Sequence, residues 1–160
     1  MEPSAFCREL HPRLVGALAL HCGDRDVATE LAQETLARVW ERWSTVERMD
    51  SPEAWAFRVA FNLAASRFRR GAAERRARAR LGPVDEHVHE PDATDAVAVR
   101  AAVASLPPRQ RAAVILRYFV DLSVDQTAEA LRCAPGTVKS LTSQAIASLR
   151  DRFDVEVANA

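Results

Sequence analysis

Apolar residues recur along this chain at three- and four-residue steps, the period that lines one face of an α-helix, and no stretch alternates as a half-buried strand would. Phe6, Leu10, Leu14 and Leu18 fall at four-residue spacing, which predicts a first helix capped by Ser4 and running to about His21. Asp24 or Asp26 can open a second, in which Val27, Leu31, Leu36, Val39, Trp40 and Trp43 form one broad apolar stripe. Ser51-Pro52 predicts a third start. Serine accepts a bond from an early backbone N–H, and proline at the first helical position has no N–H to leave unpaired. That helix is expected to run to about Arg70. Alanine and arginine can extend it through Arg80, but Gly82-Pro83 must interrupt it.

Residues 72–95 have little to bury and read as a flexible linker. A second helical cluster follows. Val97, Val103 and Leu106 precede Pro107-Pro108, and a further helix runs from Arg109 to Phe119. Ser123-Val124-Asp125-Gln126 fits a capping box opening a helix that ends near Cys133. Pro135-Gly136 restarts the chain into a last helix with Val138, Thr142, Ala145, Leu149 and Phe153 on one side. The expected fold is all-α, with two small helical domains joined by the linker. The last two helices and their short turn suggest a helix-turn-helix, for which an ordinary helical hairpin is the alternative.

Charge changes this picture more than composition does. The 160 residues carry 22 Lys plus Arg and 22 Asp plus Glu, so the total gives no nucleic-acid signal. The charges are segregated, however. Residues 58–80 hold eight arginines against Glu74, a net of +7, and residues 82–100 hold five acids against Arg100, a net of −4. A neutral chain polarised in this way can carry a local phosphate-binding surface.

The start of the chain lacks a signal peptide's basic and apolar regions, and no apolar run approaches the roughly 18 residues of a membrane span, so no membrane insertion and a cytoplasmic location are expected. Three cysteines then read as reduced thiols. Cys7, His11, His21 and Cys22 leave a metal site open on spacing alone, but helical thiols and imidazoles are usually core or surface filler, and neither metal nor cofactor is expected. Phosphate-cradling glycine loops, zinc-protease motifs and nucleophile elbows are absent, so the chain is not expected to be an enzyme.

Two stretches narrow the function. Residues 26–70 contain Asp-Val-Ala-Thr-Glu-Leu-Ala-Gln-Glu-Thr, then Val-Trp-Glu-Arg-Trp, then Pro-Glu-Ala-Trp-Ala-Phe-Arg-Val-Ala-Phe-Asn-Leu-Ala. This resembles domain 2 of the extracytoplasmic-function sigma factors of bacterial RNA polymerase. Residues 106–150 contain Leu-Pro-Pro-Arg-Gln-Arg-Ala-Ala-Val-Ile-Leu-Arg-Tyr-Phe and Ala-Pro-Gly-Thr-Val-Lys-Ser, and resemble sigma domain 4. The resemblance implies domain 2 over residues 1–71, the linker over 72–95 and domain 4 over 96–160.

It also implies partners: core RNA polymerase through its β′ clamp and β subunits, promoter DNA, and an anti-sigma factor if one exists. By this resemblance Asp26, Glu30, Leu31, Gln33 and Glu34 meet polymerase. The loop from Ser44 to Asp50 and the helix after it correspond to the reader and melter of the −10 element. There Arg58, Asn62 and Arg69 lie near one helix face, Arg67 and Arg70 extend it, and Phe57, Phe61 and Phe68 belong to the core. The last helix corresponds to the −35 reader, with Thr137, Lys139, Ser140, Leu141 and Gln144 as contacts. Leu141 and Gln144 stand where such proteins commonly carry polar or basic residues, which predicts weak phosphate attraction there; Leu141 can instead meet a thymine methyl or pack internally. Two other readings are a stand-alone helix-turn-helix regulator and a sigma-like adaptor with weak −35 binding.

Overall fold

The computed structural model describes residues 1–79 and 95–159, which form helices and turns, with no strand among them. Eight α-helices follow in order: α1 Pro3–Cys22, α2 Arg25–Glu41, α3 Trp43–Val46, α4 Pro52–Ala79, α5 Asp95–Ala104, α6 Pro108–Val114, α7 Val124–Leu131 and α8 Pro135–Ala158. A π-helical turn, Ile115–Phe119, continues α6. The interruption expected at Gly82-Pro83 lies outside the described residues.

Local chemistry sets most of these boundaries. Asp24 caps α2 by accepting from the backbone N–H groups of Asp26 and Val27 at 2.9 and 3.1 Å. Ser51 caps α4 through the Ala54 N–H at 3.1 Å, with Pro52 opening the helix. The capping box of α7 is complete: Ser123 accepts from the Gln126 N–H, and the Gln126 side chain accepts from the Ser123 N–H. The helix ends at Leu131, with Arg132 in the left-handed conformation, two residues before the expected Cys133.

Two expectations need correction, and α4 takes the longer of its two expected extents. Ser4 does not cap α1, because Pro3 already occupies the first helical turn and Glu2 sits at the cap position without a side-chain bond. Helix α4 runs past Arg70 to Ala79, taking in the start of the expected linker, since nothing between Gly71 and Ala79 opposes a helix strongly enough to end it. Trp40 does not join the apolar stripe of α2 but is 56% exposed. Val39 before it takes the inward position, and one residue advances the helix by about 100°.

Leu14, Leu18, Leu31, Val39, Phe57 and Phe61 form the centre of a core that continues without a break into Leu116, Val120, Leu122 and Ala130. The two expected domains therefore share one apolar interior. Leu106, Val114 and Ala145 form a smaller cluster under α8, with Leu149 against it.

The junction between the halves is polar at its edges. Arg13 on α1 donates to the Val120 carbonyl at 2.7 Å and pairs with Glu53. Arg111 on α6 donates to the His21 carbonyl at 2.6 Å and to that of Leu106 at 3.1 Å. Its cation thus lies at the C-terminal turn of α1, where the helix dipole favours positive charge. Gln126 donates to Ser51 Oγ at 3.3 Å. The π turn pushes Phe119 out against α1, where Gly16 leaves room for it; a Cβ at position 16 would lie 2.9 Å from Phe119 Cζ.

Candidate polymerase and nucleic-acid interfaces

On α2 the inward stripe is Ala28, Leu31, Ala32, Thr35 and Val39, and the opposite side presents Asp26, Glu30, Gln33 and Glu34 to solvent. Leu31 is 4% exposed, so it belongs to the core and supports the surface from behind. The exposed face carries a residue that the stripe pattern hides. Trp40 follows Gln33 by seven residues, about two turns, and so lies over the same side as Gln33. The result is an acidic and amide patch with an indole at one end. Glu34 pairs with Arg38 at 2.8 Å, a spacing typical of exposed helix pairs worth a few tenths of a kcal/mol.

Beside α2, α4 buries Phe57 and Phe61 and leaves Asn62, Arg69 and Arg70 exposed, with Arg58 half-buried. Phe68 is half-buried against the His21 ring, at 5.2 Å between centroids. Arg67 stands elsewhere. It follows Arg58 by nine residues, about half a turn out of phase, and its guanidinium donates to Glu30 at 3.1 Å. It does not extend the Arg58 face but ties α4 to α2, joining one expected DNA contact to one expected polymerase contact. Between the two helices Arg38, Glu41, Arg42, Trp55 and Val59 line an open cleft of about 170 Å³.

On α8, Val138, Thr142 and Ala145 face inward. The Thr142 hydroxyl donates to the Val138 carbonyl at 2.9 Å, which satisfies it within the helix. Thr137, Lys139, Ser140 and Gln144 are exposed, while Leu141 is half-buried. Thr137, Ser140, Leu141 and Gln144 fall on one side; Lys139 lies about 100° away from Ser140 around the axis. Gln144 accepts from Gln110 on α6 at 3.3 Å, which fixes the α8 row to the helix beneath it.

His21 is a buried titratable group beside the junction. It is 4% exposed, with its ring 4.7 Å from that of Phe61, and burial followed by the charge of Arg111 lowers its pKa to about 4. Burial pushes the Cys22 thiol up to about 11, with Arg111 and Arg67 pulling the other way and Asp24 adding to the rise; burial also raises Cys7. Both shifts disfavour the thiolate that a metal would require.

The geometry thus offers an acidic helix face, a row of cationic and amide side chains on a neighbouring helix, and a helix-turn-helix of α7 and α8. Family models match twice: Sigma-70 region 2 over residues 6–74 and Sigma-70 region 4 over residues 96–149. The RNA polymerase sigma-E factor of Streptomyces coelicolor is 35% identical over 132 residues, covering 79% of this chain and 71% of that protein. The chain belongs to the extracytoplasmic-function family of RNA polymerase sigma factors.

A second relative of this sigma factor, the ECF RNA polymerase sigma factor SigL of Mycobacterium tuberculosis, is 34% identical over 137 residues, covering 80% of the chain and 75% of the relative. Its fold is similar to that of the sigma factor RpoE solved in complex with the anti-sigma factor NepR from Bartonella quintana. That likeness has a TM-score of 0.78 and 26% identity, and covers 94% of this chain and 98% of RpoE. Among the described residues no helix of the sigma factor is long and apolar enough to cross a membrane.

Proposed function

We propose that this sigma factor docks on core RNA polymerase through the outward face of α2, Asp26, Glu30, Gln33, Glu34 and Trp40, and directs initiation at promoters read by α4 and α8. The observation that carries this reading is that Arg67 ties α4 to Glu30 on the acidic α2 face, while Arg58, Asn62 and Arg69 stay on another, uncovered side of the same helix. A basic helical partner on the α2 face places opened DNA beside that side of α4. Residues 1–71 act as domain 2 and residues 96–160 as domain 4, with 72–95 between them. The protein works in the cytoplasm beside polymerase, which performs the chemistry; sigma contributes differential binding to closed and opened DNA. The relative RpoE is held by an anti-sigma factor, and a protein of that class is an expected partner here.

Promoter elements about 25 base pairs apart span about 85 Å at 3.4 Å per step. A folded chain of 160 residues has a radius of gyration of about 15 Å, so the two halves must part at the Arg111 and Arg13 contacts before both elements are held.

Reconstitution with core polymerase and run-off transcription from genomic fragments tests the whole reading. Fragment-specific transcripts that depend on this chain are expected; duplex binding without polymerase and without transcripts would instead indicate a stand-alone regulator. In domain 4, Leu141→Arg is expected to keep the fold, since the side chain is only half-buried. It should tighten promoter-duplex binding and steepen log K against log salt by about 0.9, one phosphate's worth. A folded variant with an unchanged salt slope would show that this row does not meet DNA.

A further inference from the structure

Helix α4 outlasts its own packing. Its last buried residue is Ala64, yet it continues to Ala79, and every residue from Ala73 onward in the helix is exposed. Alanine and arginine favour the helical state without tertiary support, so their sequence maintains the extension.

The extension prolongs one particular face. Arg58 and Arg76 are separated by about five full turns, so they project in the same direction about 27 Å apart. Asn62 and Arg69 lie within about 40° of that line. Ala65 and Ala72 occupy the same strip and leave the arginines standing above it. The one acid of α4 beyond Arg58, Glu74, lies about 160° around the helix, with Arg78 one turn after it, and Arg75 lies about 100° to the side. Arg76 has no ion pair among the described residues.

We propose that Arg76 binds a backbone phosphate of the duplex upstream of the opened −10 element, about eight base pairs, at 3.4 Å each, from the nucleotide that Arg58 meets. The polarity follows from the chain: α4 leads from domain 2 toward the segment that connects to the −35 reader, so its C-terminal end points upstream. The strip supplies cation and clearance together, as a phosphate backbone needs, whereas Arg75 and Arg78 point away from it. The inference rests on α4 being the −10 reader.

The test uses holoenzyme made with full-length chain and fork-junction DNA from a promoter it transcribes. The −10 segment is single-stranded and the upstream duplex is either ~15 or ~4 base pairs, longer and shorter than the reach set by 3.4 Å per step. On the long fork, Arg76→Gln is expected to weaken binding roughly fivefold to tenfold and to lower the salt slope by about 0.9, the loss of one phosphate contact. Arg78→Gln should change affinity less than twofold, and the short fork should bind the wild type and Arg76→Gln alike. Equal losses for the two variants, or a loss at Arg76 that persists on the short fork, would overturn the proposal. The combined change Arg58→Ala with Asn62→Ala tests the reading beneath it: wild-type binding to both forks would remove α4 as the −10 reader.

Discussion

Replacing Gln33 and Glu34 together with lysine is expected to weaken the affinity of the sigma factor for core polymerase at least about a hundredfold, a loss of about 3 kcal/mol. Both side chains are exposed on α2, outside the inward stripe of Ala28, Leu31, Ala32, Thr35 and Val39, so the fold should tolerate the change. The internal costs are small: the Glu34–Arg38 pair is lost and a lysine stands one turn before Arg38, together about 0.5 to 1 kcal/mol. Toward a basic partner the sign of the surface reverses, which both removes attraction and adds repulsion. Titration of labelled variant into core polymerase, with circular dichroism as the fold control, measures it. Glu129→Lys on the exposed side of α7 is the matched control and should bind normally. If the double variant binds as the wild type does while remaining helical, polymerase docks elsewhere.

Acid should unfold this protein through His21. The imidazole is neutral in the fold with a pKa of about 4, against about 6.5 in an unfolded chain. The unfolded state therefore binds the proton first. The contribution of neutral His21 is complete above pH 6.5 and declines as pH falls from 6.5 to 4. Over that window the loss is about 3 kcal/mol, a substantial part of the stability of a domain this size. Its cause is specific: a protonated ring would sit between Phe61 and Phe68, away from water, with the Arg111 guanidinium on the backbone of the same residue. His21→Leu should lower the pH dependence of urea unfolding between pH 6.5 and 4 by that amount. Identical pH profiles for wild type and variant would place the acid-sensitive group elsewhere.

The helices were legible in the sequence because their signals are local. Asp24, Ser51 and the Ser123–Gln126 box act within three residues, and the apolar period repeats within a turn. What sequence could not supply is convergence. Arg13 and Val120 are 107 positions apart, and Arg111 and His21 are 90, so nothing in either neighbourhood marks them as partners. The shared core has the same origin, since amphipathic helices announce an inward side without saying which other helix fills it. Within the candidate site, Arg67 was separable in principle, because nine residues after Arg58 is about half a turn; its charge suggested membership of a face that its phase denies. Trp40 was misplaced for the opposite reason, its apolar bulk outweighing a phase that points it to solvent.

The interior common to both halves bears on competition among sigma factors for a limited pool of polymerase. If only the parted form can engage the enzyme fully, apparent affinity equals intrinsic affinity multiplied by the fraction already parted. Each 1.4 kcal/mol held in the junction then lowers that apparent affinity tenfold. Substitutions around Gly16, Phe119 and Arg111, none of which lies on the proposed polymerase or DNA faces, would thereby set how much of the transcriptional machinery this factor claims when it is made in small amounts.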